Sequence, residues 1–446
     1  MSEKAPLKII LKTSLPAVID LSSQTIMFTI EAILIGRIGY AALAGQGMAI
    51  QLVLSFLAVL ITFIIGSSLI ITRYLGAGQN YEANHIFGQA MMMTIIMSII
   101  FAFTWYFGGI YLFRLIKEGA DTAAQTAGVT YLRTAALFAP LIITNFVAVG
   151  IVRGAGDTHL SMIVNVTINL INLVLAPLLI FGWFGFPRWE VEGAAVALGI
   201  SHSIGFVVTV YILRTRKSVL YLSFKELTRP NFKSFKKLIK TGVPTTVEQF
   251  TWSIGLLIAS LYAARLGAYT LTAHIIFLRI QNILSMAYTG LGLAAMTLMG
   301  KNIGASKLKL AEKTAKTFNH VGFAIAIVIT LSLILFSESI MSIFTTETAV
   351  IEKGRMAIII FAIVQIPKAV DGVLIGNLRG AGDIRWIMWM TIIGVLSFEI
   401  GLNWVAVFVI HLDLVGLWLV HLIDECARLI VNYWRFKGGR WKFIDI

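Results

Sequence analysis

The pentapeptide Arg153-Gly154-Ala155-Gly156-Asp157 returns unchanged as Arg379-Gly380-Ala381-Gly382-Asp383. Each copy closes one long apolar run and opens another. Other residues repeat as well. Pro16, Asp20, Arg37, Gly39, Arg73, Gly76 and Ala77 match Pro244, Glu248, Arg265, Gly267, Lys301, Gly304 and Ala305, each pair 228 positions apart, while the pentapeptides are 226 apart. The chain therefore reads as two tandem halves with a small change of length between them, and the fold as two copies of one architecture.

Apolarity says what each copy is. The chain is 58% hydrophobic and 13% charged, against about 45–50% and about 25% for a soluble domain. Runs of about 18 or more apolar residues recur, long enough to cross a bilayer as helices. The sequence predicts an all-α integral membrane protein of about twelve transmembrane helices in two pseudo-symmetric six-helix lobes. The first span is placed at 13–35, the fifth at 160–182, the seventh at 241–264, the eleventh at 385–410 and the twelfth at 414–434. Residues 1–213 form the N-lobe, 214–240 a basic linker, and 241–446 the C-lobe with a terminal tail. Six spans per half is an even number, so both halves enter from the same side and the repeat is parallel.

Placement of charge sets the orientation. The net charge of +14 is concentrated in alternate loops: Lys4, Lys8, Lys12, Arg73, Arg153, the linker, Lys301, Arg379 and the tail on one side. The other side holds few cations, among them Arg37, Arg114, Lys117, Arg188, Arg265, Lys353 and Arg355. An excess of roughly threefold puts both termini in the cytoplasm of a cell (inner) membrane. The same pattern argues against a nucleic-acid partner, and the linker lysines and arginines suit anionic membrane lipid.

Polar residues inside apolar spans are costly, about 2.5–3.5 kcal/mol for a carboxylate on insertion scales, and so mark functional candidates. On the first span Asp20, Gln24 and Glu31 share a face, with Asp20 and Glu31 about 20° apart around the helix. Glu248 is the repeat equivalent of Asp20. Both follow a proline, Pro16 or Pro244, so satisfying freed backbone groups is the alternative role for them. Asn165, Asn169 and Asn172 also share one face, either for interhelical hydrogen bonds or to line a cavity. Asp371 matches Asn145 in the repeat, and Lys368 one turn earlier is within reach of it. Asp424, Glu425, Arg428 and His421 can pair along the twelfth span. Glu399 on the eleventh has no evident partner.

Other chemistries are poorly served. The histidines are scattered without metal-ligand spacing, no P-loop occurs, and no nucleophile–base pattern is present. Cys426 is the single cysteine, so no intramolecular disulfide forms. The chain is not expected to be an enzyme or to carry a cofactor.

The whole chain resembles the multidrug and toxic compound extrusion (MATE) transporters. The resemblance rests on Pro16 with Gln24, Glu31 before Ile35-Gly36, Leu43-Ala44-Gly45, Tyr74-Leu75-Gly76-Ala77-Gly78, Asn172 to Pro177, and the duplicated Arg-Gly-Ala-Gly-Asp. It implies secondary active export of organic cations and amphipathic drugs against H⁺ or Na⁺, by alternating access of the two lobes. It also implies an ion-coupling role for the acid at Glu31, with Asn172 and Asn169 as partners and Glu31 with Asn172 as a Na⁺ site. Asp20, Gln24, Glu248 and Asp371 complete the candidate set. Two positions depart from the family pattern. Ala176 stands where many members have Asp, and Trp252 and Lys368 stand near positions where one branch has acids. Another function within the same superfamily, flipping a lipid-linked oligosaccharide, would need a cation-lined cavity.

Overall fold

The computed structural model describes residues 6–115, 122–345 and 347–444. Lys4, Lys117 and the Arg114 side chain lie outside these. Twelve long helices run through the described residues: α1 Pro6–Gly36, α2 Tyr40–Gly76, α3 Asn80–Leu115, α4 Thr122–Gly154, α5 Thr158–Phe181, α6 Glu190–Arg214, α7 Phe232–Arg265, α8 Ala268–Gly304, α9 Leu308–Leu335, α10 Thr348–Gly380, α11 from Ile384, and α12 Leu414–Lys437. No strand occurs among them. Ten of these helices are long and apolar enough to span a membrane. The two outside that set, α7 and α12, carry the lysines of residues 233–240 and the Asp424, Glu425 and Arg428 cluster respectively. This is a multi-pass membrane protein.

The sequence marks the helix ends. Gly36 and Gly76 are the last residues of α1 and α2, and each Arg-Gly-Ala-Gly-Asp copy ends one helix and turns into the next. Gly156 and Gly382 adopt φ of 99° and 87°, a region that only glycine enters freely. A Cβ on Gly154 would meet Ser68 Oγ at 2.0 Å, and one on Gly380 would meet the Met296 carbonyl at 2.3 Å. The motif is thus fixed twice over, by backbone conformation and by close approach to α2 or α8.

The helices divide into two compact units. One comprises Ile19–Val243, the other Pro244–Ile446 together with the residues up to Val18. Pro16 lies in α1 two residues before that change, and Pro244 lies in α7 at it. Within the first unit α2 and α3 pack on α4, and α4 and α5 on α6. Within the second, α10 packs on α8, α9 and α12. The start of α1 belongs to the second unit: Ile10 is buried with Leu291, Ala294 and Phe318. The start of α7 belongs to the first, where the Leu238 carbonyl lies against Gly66 and Gly242 against Thr62.

Two expectations change in detail. Residues 214–240 are not a bare basic tether. Asn84 accepts from Tyr221 N at 2.7 Å, Gln89 donates to the Glu226 and Arg229 carbonyls, each at 2.9 Å, and His85 contacts both Glu226 and Ser234. The reason is local: a short helix, Phe224–Thr228, lays Glu226 over Gly88, where any side chain would collide. The eleventh span is also not a uniform α-helix. After Ile384–Gly394 it widens to π-helical turns at Val395–Leu402 and Val405–Val409. Such turns recur at functional positions, and here they carry Glu399.

Candidate functional site

The repeat-matched acids meet the repeat-matched arginines. Arg153 Nη1 donates to Asp20 Oδ2 at 2.9 Å in the first unit. Arg379 Nη2 donates to Glu248 Oε1 and Oε2 at 2.6 and 2.8 Å in the second. Each pair ties an entry helix, α1 or α7, to the arginine that opens the glycine turn. Asp20 is saturated further by Ser161 and by Asn165 Nδ2 at 2.7 Å. One face of α1 therefore meets the asparagine face of α5, two patterns read separately in the sequence.

Asn169 Nδ2 donates to Ser23 Oγ at 2.8 Å, one turn beyond the Asp20–Asn165 contact. The two helices run parallel there. Continuing that register places Asn172 level with Met27 and Ala176 level with Glu31. Both polar atoms of the Asn172 amide are buried without a hydrogen-bond partner among the described residues. Gln24 is half-buried on the same helix as Asp20.

Glu31 is the exception on this face. It is 1% exposed. Gln46 Nε2 donates to its Oε1 at 2.7 Å and Tyr131 OH does so at 3.3 Å. Oε2 has no partner, and among the described residues no lysine, arginine or histidine forms an ion pair with this carboxyl. A buried carboxylate is costly without a compensating charge. The group is thus suited to hold a proton or a small cation. Gln46 and Tyr131 carry no sequence signal of this role, since an isolated Gln on one helix and a Tyr on another do not reveal a shared partner.

The second unit holds a denser cluster. Asp371 accepts from Asn432 Nδ2 at 2.9 Å and is 2% exposed. Lys368 does not turn to Asp371. Its Nζ donates to Glu425 Oε1 at 2.6 Å, lies 3.2 Å from His421 Nε2, and sits 4.7 Å over the Trp252 ring. Glu399 does have partners: His421 Nδ1 at 2.6 Å and Asn403 Nδ2 at 3.1 Å. Arg428 Nε donates to Asp424 Oδ1 at 2.8 Å. Glu399, His421 and Asp424 offer three ligand atoms within 4.8 Å of one another, but Lys368 and Arg428 already bring positive charge to the cluster. These contacts join α10, α11 and α12, and i+4 spacing along one helix could not reveal them. A cavity of about 110 Å³ opens beside the cluster, lined by Trp252, His274, Lys368, Glu399, Trp418 and His421 among others. Trp418, one of the lining residues, packs edge-on against the stacked pair Phe277 and Phe361, with the three centroids 4.9–5.5 Å apart.

The MatE family model matches residues 16–178 and again 244–405, so it finds both halves and begins each at the matched proline. The chain is 25% identical over 437 residues to the probable multidrug resistance protein NorM of Thermotoga maritima, covering 98% of this chain and 93% of that one. It is equally 25% identical to the uncharacterized transporter YisQ of Bacillus subtilis, over 96% of this chain and 93% of that protein. Among solved structures, a MATE protein in the straight conformation superposes with a TM-score of 0.90 at 22% identity, over 98% of this chain and 97% of that one. A transporter of the MOP superfamily from Pyrococcus furiosus gives 0.89 at 22% identity over the same shares. With a duplicated helical fold, buried acids in both halves and the family model matching twice, the chain belongs to the MatE family.

Proposed function

We propose that the protein is a secondary active multidrug exporter, exchanging organic cations or amphipathic drugs for H⁺ or Na⁺ by alternating access of its two halves. Its place is a cell (inner) membrane with both termini in the cytoplasm, and it is a transporter with no catalytic centre or cofactor. The observation that carries the coupling is Glu31: a buried carboxyl with no cationic partner and one unsatisfied oxygen. Such a group changes its affinity for a proton or Na⁺ whenever its surroundings open to water. Asn172, with its amide unsatisfied, and Asn169 supply neutral ligands on the facing helix. Asp20 and Glu248, each held by an arginine, anchor the entry helices. Asp371 and the cavity beside Lys368 give the second half its own polar centre. The name of the Thermotoga maritima relative, a multidrug resistance protein, supports the drug-export reading. Oligosaccharide flipping is disfavoured, because Lys368 and Arg428 are each spent on a carboxylate.

The test is efflux of a fluorescent organic cation from proteoliposomes with a pH or a Na⁺ gradient imposed separately. Transport driven by one gradient names the coupling ion. Glu31→Gln is expected to lose gradient-driven transport. Undiminished coupled transport in that variant would remove Glu31 from the mechanism.

A further inference from the structure

The turn that leaves α6 is pinned in place and carries three cations without a partner. Leu213 and Leu220 are buried, and Leu222 N donates back to the Leu213 carbonyl. Tyr221 N donates to Asn84 Oδ1 at 2.7 Å, and Ser218 Oγ to Asp157 Oδ2 at 2.8 Å. The loop is thus tied to α3 and to the first glycine turn. From it Arg214 stands 4.6 Å over the Phe224 ring, Arg216 4.7 Å over Tyr221, and Lys217 5.4 Å over Tyr211. All three are exposed. Among the described residues none of their side chains forms an ion pair or a hydrogen bond. The carboxylate that reaches the loop, Asp157, is held by Leu160 N and Ser218 instead. A ring takes one face of a guanidinium and leaves its N–H groups free for a phosphate.

The matching end of the second half, at α12, is built differently. Its ring-seated cations are Arg435, over Trp386, and Lys442, over Trp441. Each also meets a carboxylate, Asp383 or Glu312. Charge bias across the membrane accounts for cations at both ends. It does not account for a ring-seated set that stays unpaired at one of them. α6 itself supplies a second observation. From Ile204 onward its exposed side is one stripe at helical spacing, Ile204, Val207, Val208 and Tyr211, and Arg214 comes next on it. From Ile204 to Arg214 the helix rises about 15 Å, half of a hydrocarbon thickness of about 30 Å. Apolar, aromatic and cationic residues follow one another over the depth of one leaflet, as acyl chain, glycerol and phosphate do in a phospholipid.

We propose that the end of α6 is a binding site for one anionic phospholipid. Arg214, Arg216 and Lys217 take its phosphate through charge-assisted hydrogen bonds, and an acyl chain lies along Ile204, Val207 and Val208. Seating the cations on rings and pinning the loop lowers the ordering cost of binding. The apolar stripe sets the occupant: a soluble phosphate would engage the cations and leave the stripe uncovered. The site differs from a diffuse attraction of the whole linker, because Lys225, Arg229 and Lys233 take no part in it. The lipid comes from the cytoplasmic leaflet, where anionic headgroups are enriched. For that leaflet alone the proposal rests on the orientation given above; drug export does not enter.

The experiment is native mass spectrometry of the purified full chain in detergent, titrated with dioleoyl phosphatidylglycerol or dioleoyl phosphatidylcholine. The native chain should hold one phosphatidylglycerol in preference to phosphatidylcholine. Arg214→Gln, Arg216→Gln and Lys217→Gln should each weaken phosphatidylglycerol about fivefold, and the three together should abolish the preference. A charge-matched chain with Lys225→Gln, Arg229→Gln and Lys233→Gln should keep it. Equal losses in the two triple variants would mean diffuse attraction and overturn the site, as would a native chain without preference. The deacylated headgroup, glycerophosphoglycerol, should not compete even in excess; full competition would make the occupant a soluble phosphate and overturn the proposal. The leaflet is tested apart from the site. In cells making a Cys426→Ser chain with Lys225→Cys, an impermeant maleimide should label the linker only after permeabilisation. Labelling of intact cells would overturn the orientation, and the lipid titration would still decide the site.

Discussion

Asp20 and Glu31 lie on one face of one helix, three turns apart, and have opposite roles. Asp20 is paid for in full by Arg153, Ser161 and Asn165, whereas Glu31 has two neutral donors and an empty oxygen. Removing one partner of a buried ion pair leaves the other charge stranded, at about 3–5 kcal/mol. Arg153→Met is therefore expected to lower thermal stability in detergent by that order. Glu31→Gln keeps an acceptor for Gln46 and Tyr131 and loses no ion pair, so its melting temperature should equal or exceed the native value while coupled transport fails. A large loss of stability in Glu31→Gln would show that the carboxyl is structural. The acids themselves were legible in the sequence, because a carboxylate in an apolar run stands out. Their partners were not, because Arg153 is 133 residues from Asp20 and looked like part of a turn. The repeat did hold the clue: acid and arginine recur together, as a pair that touches would.

At the scale of the element, the glycine turn was legible as a turn but not as a packing contact. Gly154 faces a side chain, Ser68, while Gly380 faces backbone at Met296. An added methyl should cost about 1–3 kcal/mol at either site. The two should respond differently to a second change. Ser68→Gly vacates the space that Gly154→Ala needs and should restore much of its stability, whereas no side-chain substitution clears the Met296 carbonyl for Gly380→Ala. Thermal melts of the single and double variants check this, and equal rescue at both sites would contradict it. The widened turns of α11 were not legible, because no proline or unusual spacing marks residues 395–409. They are visible only through what they achieve, the placement of Glu399 against a histidine on α12.

At the scale of the whole molecule, an all-helical fold of twelve long helices in two similar halves followed from apolarity and repetition alone. Loop electrostatics adds a testable property. Asp413, between α11 and α12, is partly buried, which would raise its pKa. The Lys353 ammonium, the Leu414 N–H and the Thr270 hydroxyl outweigh that and hold it below the usual carboxylate value. A lowered pKa means that the stabilising contribution is present above the unfolded value, about 3.9, and fades as pH falls through the folded one. Melting temperature should therefore fall less steeply on strong acidification in Asp413→Asn than in the native chain, and parallel curves would refute the assignment.

The compact units do not coincide with the two sequence repeats. Residues up to Val18 complete one, and residues 232–243 complete the other, so each half of the gene ends up building part of both. A chain severed in the exposed turn after Lys217 would yield two fragments, each lacking three helical turns of its own and carrying three meant for the other. Made separately, such fragments should be unstable; made in one cell, they should reassemble and co-purify. Duplication alone could not have produced this molecule as two independent neighbours, because exchanging their first turns makes the halves obligate companions.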